Sequence, residues 1–323
     1  MEHALRSISD LGLLTQLPGI ILKAQSGFFT VHTEAGEFIC KLRGKLKKQR
    51  QRTDLAAIGD RVQIHVHPDG TGTIEEIAPR ERALSRRAPT GYGRGGSREE
   101  EQEREQVLIA NPDQAVFVFA CAEPTPHLRM LDRFLVMAEA ARLPSVICAN
   151  KADLVTPEEA QALFGLYTQI GYPVVYTSAI TGQGVAELRE RLRARLSVFA
   201  GPSGAGKSSL LNAVQPGLGL KARAVSEATT KGRHTTVYPE LLPLAEGGFV
   251  ADTPGLRALA LWDIEPEELD GYFMEMGPYV AQCEFSDCTH THEPGCAVRQ
   301  AVQAGKIAQS RYESYCRMRE SNQ

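Results

Sequence analysis

The N-terminal quarter of the chain alternates between apolar and polar positions. Phe28-Phe29-Thr30-Val31-His32-Thr33 ends at the turn residues Glu34-Ala35-Gly36, and Glu37-Phe38-Ile39-Cys40-Lys41-Leu42 alternates again. Gly59-Asp60-Arg61-Val62-Gln63-Ile64-His65-Val66 is closed by Pro68-Asp69-Gly70-Thr71-Gly72, before a short strand around Thr73 to Ile77. A period of two interrupted by Gly, Pro and Asp predicts short strands with one buried face. Four or five such strands within about 70 residues predict an all-β, OB-type barrel over residues 1–83.

The pattern changes after residue 114. Ala115-Val116-Phe117-Val118-Phe119-Ala120 and Pro144-Ser145-Val146-Ile147-Cys148-Ala149 are unbroken apolar runs, which predict strands buried on both faces. Between them Leu131, Phe134, Leu135 and Ala138 recur at helical spacing. Val174-Val175-Tyr176 is a third strand, and Val185, Leu188, Leu192 and Leu196 line one face of a helix leading into a strand from Ser197 to Ala200. Alternating strands and helices predict an α/β domain with a parallel sheet, residues 107–264. Residues 84–98 carry glycine and arginine without apolar period and read as a mobile linker able to track a phosphate backbone or simply to connect; Glu99 to Glu105 reverses the charge and opens helical or linker structure. The linker as a whole spans 84–106, and residues 265–323 form a small, α-rich C-terminal domain.

Every nucleotide motif of the α/β region sits at the C-terminal end of a strand. Gly201-Pro202-Ser203-Gly204-Ala205-Gly206-Lys207-Ser208 matches the GxxxxGK[ST] phosphate loop, whose backbone amides wrap phosphates, with Ser209 next in the helix it opens. Lys207 reaches the outer phosphates and Ser208 binds Mg²⁺. Asn150-Lys151-Ala152-Asp153 narrows the base to guanine: one carboxylate, Asp153, accepts from both N1 and N2 of guanine, where adenine offers no matching donors. Asn150 and Lys151 pack and hold the loop, and Ser178-Ala179 adds backbone contacts near the guanine oxygen. Asp252-Thr253-Pro254-Gly255 senses the third phosphate, Asp252 through a Mg²⁺-bound water and Gly255 through its amide.

The order of these motifs is permuted. In the usual GTPase the phosphate loop opens the domain and the base tetrad comes near its end; here the tetrad precedes the loop and Asp252 follows both. The residues from 257 to 323 are thereby tethered to the switch, so connectivity alone allows nucleotide state to move them. Leu256 occupies the position where many GTPases carry the glutamine that orients the attacking water, and an apolar side chain cannot do that. Replacement groups lie in Thr229-Thr230-Lys231-Gly232-Arg233-His234-Thr235-Thr236: Thr235 or Thr236 completes the Mg²⁺ shell, and His234 is a candidate to position water.

Cys283, Cys288, His290, His292 and Cys296 fall within fourteen residues, enough thiols and imidazoles to close a tetrahedral Zn²⁺ site. The spacing is not the common CxxC knuckle. Cys283, Cys288, His290 and Cys296 are the favoured ligands, with His292 the competing imidazole; no open coordination position remains, so the metal is structural. Cys40, Cys121, Cys148 and Cys316 are scattered as isolated thiols.

Composition bounds these readings. The chain has 323 residues, 42% hydrophobic and 23% charged, which suits a soluble protein of several domains. It contains no apolar run of about 18 residues and no signal-peptide core after Met1, so no membrane partner and a cytoplasmic address are expected. The net charge of −3 hides one asymmetry: seven of the twelve residues from Lys41 to Arg52 are Lys or Arg and none is acidic. Such a run faces water or phosphate, and on barrel loops it points to RNA rather than DNA, although a solvated structural loop carries the same charge. A monomer is the plain expectation.

The permuted motifs, the basic barrel before them and the CxxxxCxHxxxxxC cluster after them together resemble the ribosome small-subunit-dependent GTPase A family (RsgA, also called YjeQ), from about residue 11 to 316. The resemblance implies an OB-fold, a permuted GTPase domain and a zinc-binding domain acting on the small (30S) ribosomal subunit and its rRNA late in assembly. It further implies GTP hydrolysis to GDP stimulated by that particle, zinc on Cys283, Cys288, His290 and Cys296, and switch roles for His234 and Thr236. The alternatives are a permuted GTPase of another RNA process, such as translation control, and an RNA-binding assembly factor that uses GTP as an affinity switch.

Overall fold

The computed structural model describes residues 16–46, 54–87, 105–218, 240–252 and 264–321. They fall into two compact units: the described residues up to 112 together with 240–242, and the described residues from 113 to 218 together with those from 243 on.

In the first unit β1 (Gln16–Gln25), β2 (Phe28–Thr33), β3 (Gly36–Leu42), β4 (Arg61–Val66) and β5 (Gly72–Ile77) close a barrel in the order β1-β2-β3-β5-β4. All neighbours are antiparallel except β3 and β5, and β1 pairs with both β2 and β4, which closes the ring. Ile21, Phe29, Val31, Cys40, Val62, Ile64 and Ile74 fill it, the inward half of the alternation in each strand. The expected OB-type barrel is present. Strand β1 was not anticipated, because Pro18 and Gly19 interrupt its apolar pattern. Gly19 is required there: a Cβ would lie 2.6 Å from Val31 Cγ1 and 2.7 Å from the His32 carbonyl oxygen. Below the barrel Asp60, fully buried, accepts from Arg80 Nε and Nη2 at 2.8 Å each and from the Ala57 amide at 2.7 Å.

Residues 84–87, expected in the linker, instead belong to β6 (Ala83–Arg87), which pairs antiparallel with β7 (Glu105–Ala110). Glu105 therefore opens a strand, not a helix. Alternation in these two segments is too short to be read without the partner strand. Residues 88–104 of the linker lie outside the described residues.

The second unit holds the α/β domain apart from the first two residues of its edge strand β12. Strands β8 (Gln114–Ala120), β9 (Ser145–Asn150), β10 (Val174–Tyr176), β11 (Leu196–Ala200), β12 (Leu241–Pro243) and β13 (Phe249–Asp252) form a sheet in the order β10-β9-β8-β11-β13-β12. The pairs from β10 to β13 are parallel, and every residue of β8, β9 and β11 is buried, as their continuous apolar runs require. The connecting helices are α1 (Leu128–Ala140), α2 (Pro157–Ile170), α3 (Val185–Leu192) and α4 (Lys207–Val214). Leu196 is not on the face of α3, as expected, but is the first residue of β11; Ala194 at φ 55° breaks the helical path before it.

The same unit continues into α5 (Gly277–Val280), α6 (Ala297–Gln303) and α7 (Gln309–Ser321). Their core, which includes Leu269, Phe273, Met276, Val298, Ile307 and Tyr315, contains Val136 of α1. The C-terminal module thus shares a core with a helix of the α/β domain, whatever the chain tethers it to.

Candidate nucleotide site and metal centre

Because β9, β10, β11 and β13 run parallel, their C-terminal ends open on one edge of the sheet, where such folds bind ligands. Asn150 is the last residue of β9, Thr177 follows β10, Gly201 follows β11 and Asp252 ends β13. Motifs far apart and permuted in sequence are brought together because the sheet fixes which strands are neighbours wherever the chain is cut.

The phosphate loop is built on glycines that nothing else can replace. Gly201, Gly204 and Gly206 have φ of 150°, 80° and 87°; a Cβ on Gly201 would lie 2.0 Å from the Val118 carbonyl oxygen, and one on Gly206 2.5 Å from Asn150 Nδ2. Lys207 Nζ folds back over the loop and donates to the Gly201 and Pro202 carbonyls at 2.9 Å each. Pro202 is half-buried, Ser203 is exposed at the loop's outer edge and Ala205 is buried beneath it. The loop opens α4, so helix-terminal amides and the Lys207 ammonium converge on one concave turn, a fit for a polyphosphate. Of the expected Mg²⁺ ligands, Ser208 is in the first turn of α4, beside Ser209, and Asp252 ends the strand paired with β11, at the register Phe199↔Asp252. Thr235, Thr236 and Gly255, together with His234 and Leu256, lie outside the described residues.

Asn150 joins three loops. Buried, it donates through Nδ2 to the Ala205 carbonyl of the phosphate loop at 2.8 Å, and its Oδ1 accepts from Thr177 Oγ1 at 3.1 Å. The Ala152 amide donates back to the Thr177 carbonyl at 3.0 Å. Thr177 was not among the expected site residues, since a threonine ending a strand carries no signal of its own. Lys151 is left-handed at φ 58° and donates Nζ to the Glu123 carbonyl. Asp153 follows in the 3₁₀ turn Ala152–Leu154, its side chain exposed at the edge. Ser178 is buried and accepts from the amides of Ile180 and Thr181 at 3.2 and 3.1 Å, which shapes the turn carrying Ala179. Close beneath, burial holds the Cys121 thiol up at about 11, with the Asp153 carboxylate adding to the shift. The described tetrad therefore holds a rigid frame with one free-facing carboxylate, which is what recognition of a guanine edge needs.

In the C-terminal module the ligand atoms of Cys283, Cys288, His290 and Cys296 lie within 4.8 Å of one another. His290 Nδ1 is 3.5 Å from both Cys283 Sγ and Cys296 Sγ, and those sulfurs are 4.0 Å apart. Tetrahedral zinc with bonds of about 2.3 Å separates its sulfurs by about 3.8 Å, so the donor set fits. His292, the competing imidazole, has a side chain 79% exposed and is turned to Thr291 and Glu293. His290 Nε2 meets Asp270 Oδ2 at 3.0 Å, which leaves Nδ1 facing the sulfurs. Burial opposes charge on His290, but Asp270 and the neighbouring thiols raise it to about 9. Burial pushes the Cys288 thiol up to about 12, whereas at Cys283 the amides of Val298 and Ala297 outweigh burial and lower it.

Comparison with known proteins agrees with this geometry. Residues 94–262 match the RsgA GTPase family model and residues 18–74 the RsgA N-terminal domain. A small ribosomal subunit biogenesis GTPase RsgA from Gemmatimonas aurantiaca is 48% identical over 312 residues, covering 95% of this chain and 98% of the relative. Its counterpart from Moorella thermoacetica is 44% identical over 299 residues, covering 93% and 95%. The crystal structure of YjeQ from Thermotoga maritima superposes with a TM-score of 0.76 at 38% identity, covering 95% of this chain and 98% of the other. That of YloQ, described as a circularly permuted GTPase, gives 0.72 at 32% identity, covering 100% and 97%. Matched by the family model over residues 94–262 and aligned with these relatives along nearly the whole length of each, the chain belongs to the RsgA GTPase family.

Proposed function

We propose that this GTPase acts in maturation of the small ribosomal subunit as a monomer in the cytoplasm, reading guanine through Asp153 and holding subunit rRNA through the barrel. The observation that carries the reading is the convergence of Asn150, Thr177 and the phosphate loop on one sheet edge, framing a single outward carboxylate. Lys207 and the loop amides from Ser203 to Ser208 would hold the phosphates, and Ser208, Thr236 and Asp252 would hold a Mg²⁺ ion, which would supply charge neutralisation there. Thr235 stands beside Thr236 in the switch, and the Gly255 amide reports the third phosphate. Cys283, Cys288, His290 and Cys296 hold one structural zinc, whose chemistry is to fix the loop that carries them. Among the described residues no helix is long and apolar enough to cross a membrane.

The basic loop from Lys41 supplies the RNA face. Arg43 and Lys45 are exposed on it, and Lys41 lies over the ring of exposed Phe28, with Nζ 4.9 Å from the centroid. A cation beside an exposed aromatic ring offers both phosphate and base contacts. With Leu256 unable to orient water, His234 takes that role when the chain is on the particle; His234→Ala then lowers stimulated kcat by about 10²–10⁴ while leaving GDP affinity in place. Asp153→Asn tests the central reading: it exchanges the carboxylate for an amide whose NH₂ meets the xanthine O2, so nucleotide preference moves from GTP to XTP. Retained GTP preference in that variant would remove Asp153 from the base site.

A further inference from the structure

Arg311 has the largest fully buried side chain among the described residues, and it lies in the C-terminal module. Its Nε and Nη2 donate to Glu275 Oε1 and Oε2 at 2.6 and 3.2 Å, its Nη1 donates to Asp132 Oδ1 at 2.7 Å, and the guanidinium sits 4.6 Å from the Phe273 ring centroid. Asp132 is on α1, and it is shared. Its Oδ1 also accepts from the hydroxyl of Tyr167 on α2 at 2.8 Å, and its Oδ2 accepts from Ser314 Oγ on α7. One buried carboxylate therefore ties α1, α2 and α7 together. An apolar cluster of the same volume would hold three helices at less desolvation cost, but without fixing their register.

Both tied helices lead to the base site. α2 begins shortly after the tetrad, at Pro157, and Thr156 and Glu159 lock its first turn through reciprocal bonds of 3.2 and 2.8 Å, so about 15 Å of continuous helix carries the setting of Tyr167 to the tetrad end. α1 begins after the corner whose Glu123 carbonyl accepts Lys151 Nζ and whose Pro124 lies 3.3 Å from the Cβ position of Gly204 in the phosphate loop. Also on α7, the hydroxyls of Tyr312 and Tyr315 donate to the carbonyls of His290 and Thr289 at 2.8 and 2.9 Å. We infer that Arg311 is a positioning residue for guanine recognition: through Asp132 it sets α1 and α2, and with them the aim of Asp153, so that selectivity for the base depends on the C-terminal helix. The inference rests on the reading of Asp153 as the guanine carboxylate.

The test is the ratio of GTP to ITP affinity in the full-length chain, because inosine lacks the N2 donor and the ratio reports the aim of Asp153 rather than the amount of folded protein. Two variants are needed. Arg311→Lys keeps the charge but cannot fork between two carboxylates; the combination Arg311→Met, Asp132→Asn, Glu275→Gln leaves no unpaired buried charge and guards against misfolding. The expected result for either folded variant is a fall in the GTP/ITP ratio of about fivefold or more, the scale of a weakened charged hydrogen bond, with faster amide exchange in α2. A wild-type ratio in both variants would overturn the inference. Asp153→Asn serves as the control: if it leaves the ratio unchanged, the reading of the tetrad fails and the inference falls with it, whereas a lost ratio there and a retained one in the Arg311 variants sinks the inference alone.

Discussion

Replacing Asn150 by alanine removes the side chain that binds the tetrad to both neighbouring loops. The loss is two neutral hydrogen bonds, Nδ2 to the Ala205 carbonyl at 2.8 Å and Thr177 Oγ1 to Oδ1 at 3.1 Å, in a site only 1% exposed. Each is worth about 0.5–1.5 kcal/mol net, so about 1–3 kcal/mol of preorganisation disappears. Since Asn150 touches the loop and not the nucleotide edge in this account, the cost falls on binding as a whole, and GDP affinity should drop about 5- to 150-fold. Thr177→Val breaks one of the two bonds and should cost about half as much in free energy. The double variant should cost less than the sum, because the bond between the two residues is counted once. Titration with a fluorescent guanine nucleotide, with GTP and XTP run in parallel, reads all three. An Asn150→Ala chain that folds and binds GDP within about twofold of wild type would refute the claim that the loops are set by this side chain.

Further outcomes test other parts of the molecule. Cys283→Ser or Cys288→Ser should reduce zinc from about one per chain to a small fraction, measured by elemental analysis of protein freed of loose metal; undiminished zinc would contradict the four-ligand centre. Asp60→Ala leaves the Arg80 guanidinium without its bidentate partner and should destabilise the first unit by about 3 kcal/mol or more, seen as an early unfolding transition by calorimetry. Changing Lys45, Lys47 and Lys48 together to Glu should weaken small-subunit binding and flatten its salt dependence while GTP affinity stays; unchanged salt-dependent binding would take the barrel off the RNA face.

Where local pattern and tertiary role coincide, the sequence was readable. Strand β10 (Val174–Tyr176) has the predicted bounds and β2 (Phe28–Thr33) follows its alternation, because a half-buried or fully buried strand writes its period directly into the residues. The glycines of the phosphate loop were legible for a similar reason: their φ values admit no other residue. Most of what escaped is non-local. Leu196 looks like one more apolar step of α3 until Ala194 turns left-handed, and β6 and β7 become strands through each other. α2 drew no prediction, although Thr156, Pro157, Glu159 and Gly171 mark its ends. Arg311 gave no sign of burial, since an arginine in a polar helix is ordinarily solvated; its two carboxylate partners come from 179 and 36 residues away. The tether from the switch to the C-terminal module suggested direct movement, yet that module shares a core with α1 through Val136.

The most direct measurement is steady-state hydrolysis of GTP and of ATP by the purified protein, with and without small ribosomal subunits. A GTPase without an in-place water-orienting glutamine turns over at about 10⁻⁴ to 10⁻² s⁻¹ alone, and a partner that completes the site raises this by orders of magnitude. The account predicts slow intrinsic GTP turnover, strong stimulation by the small subunit, and neither with ATP. Turnover that the particle leaves unchanged, or ATP used as readily as GTP, would contradict it.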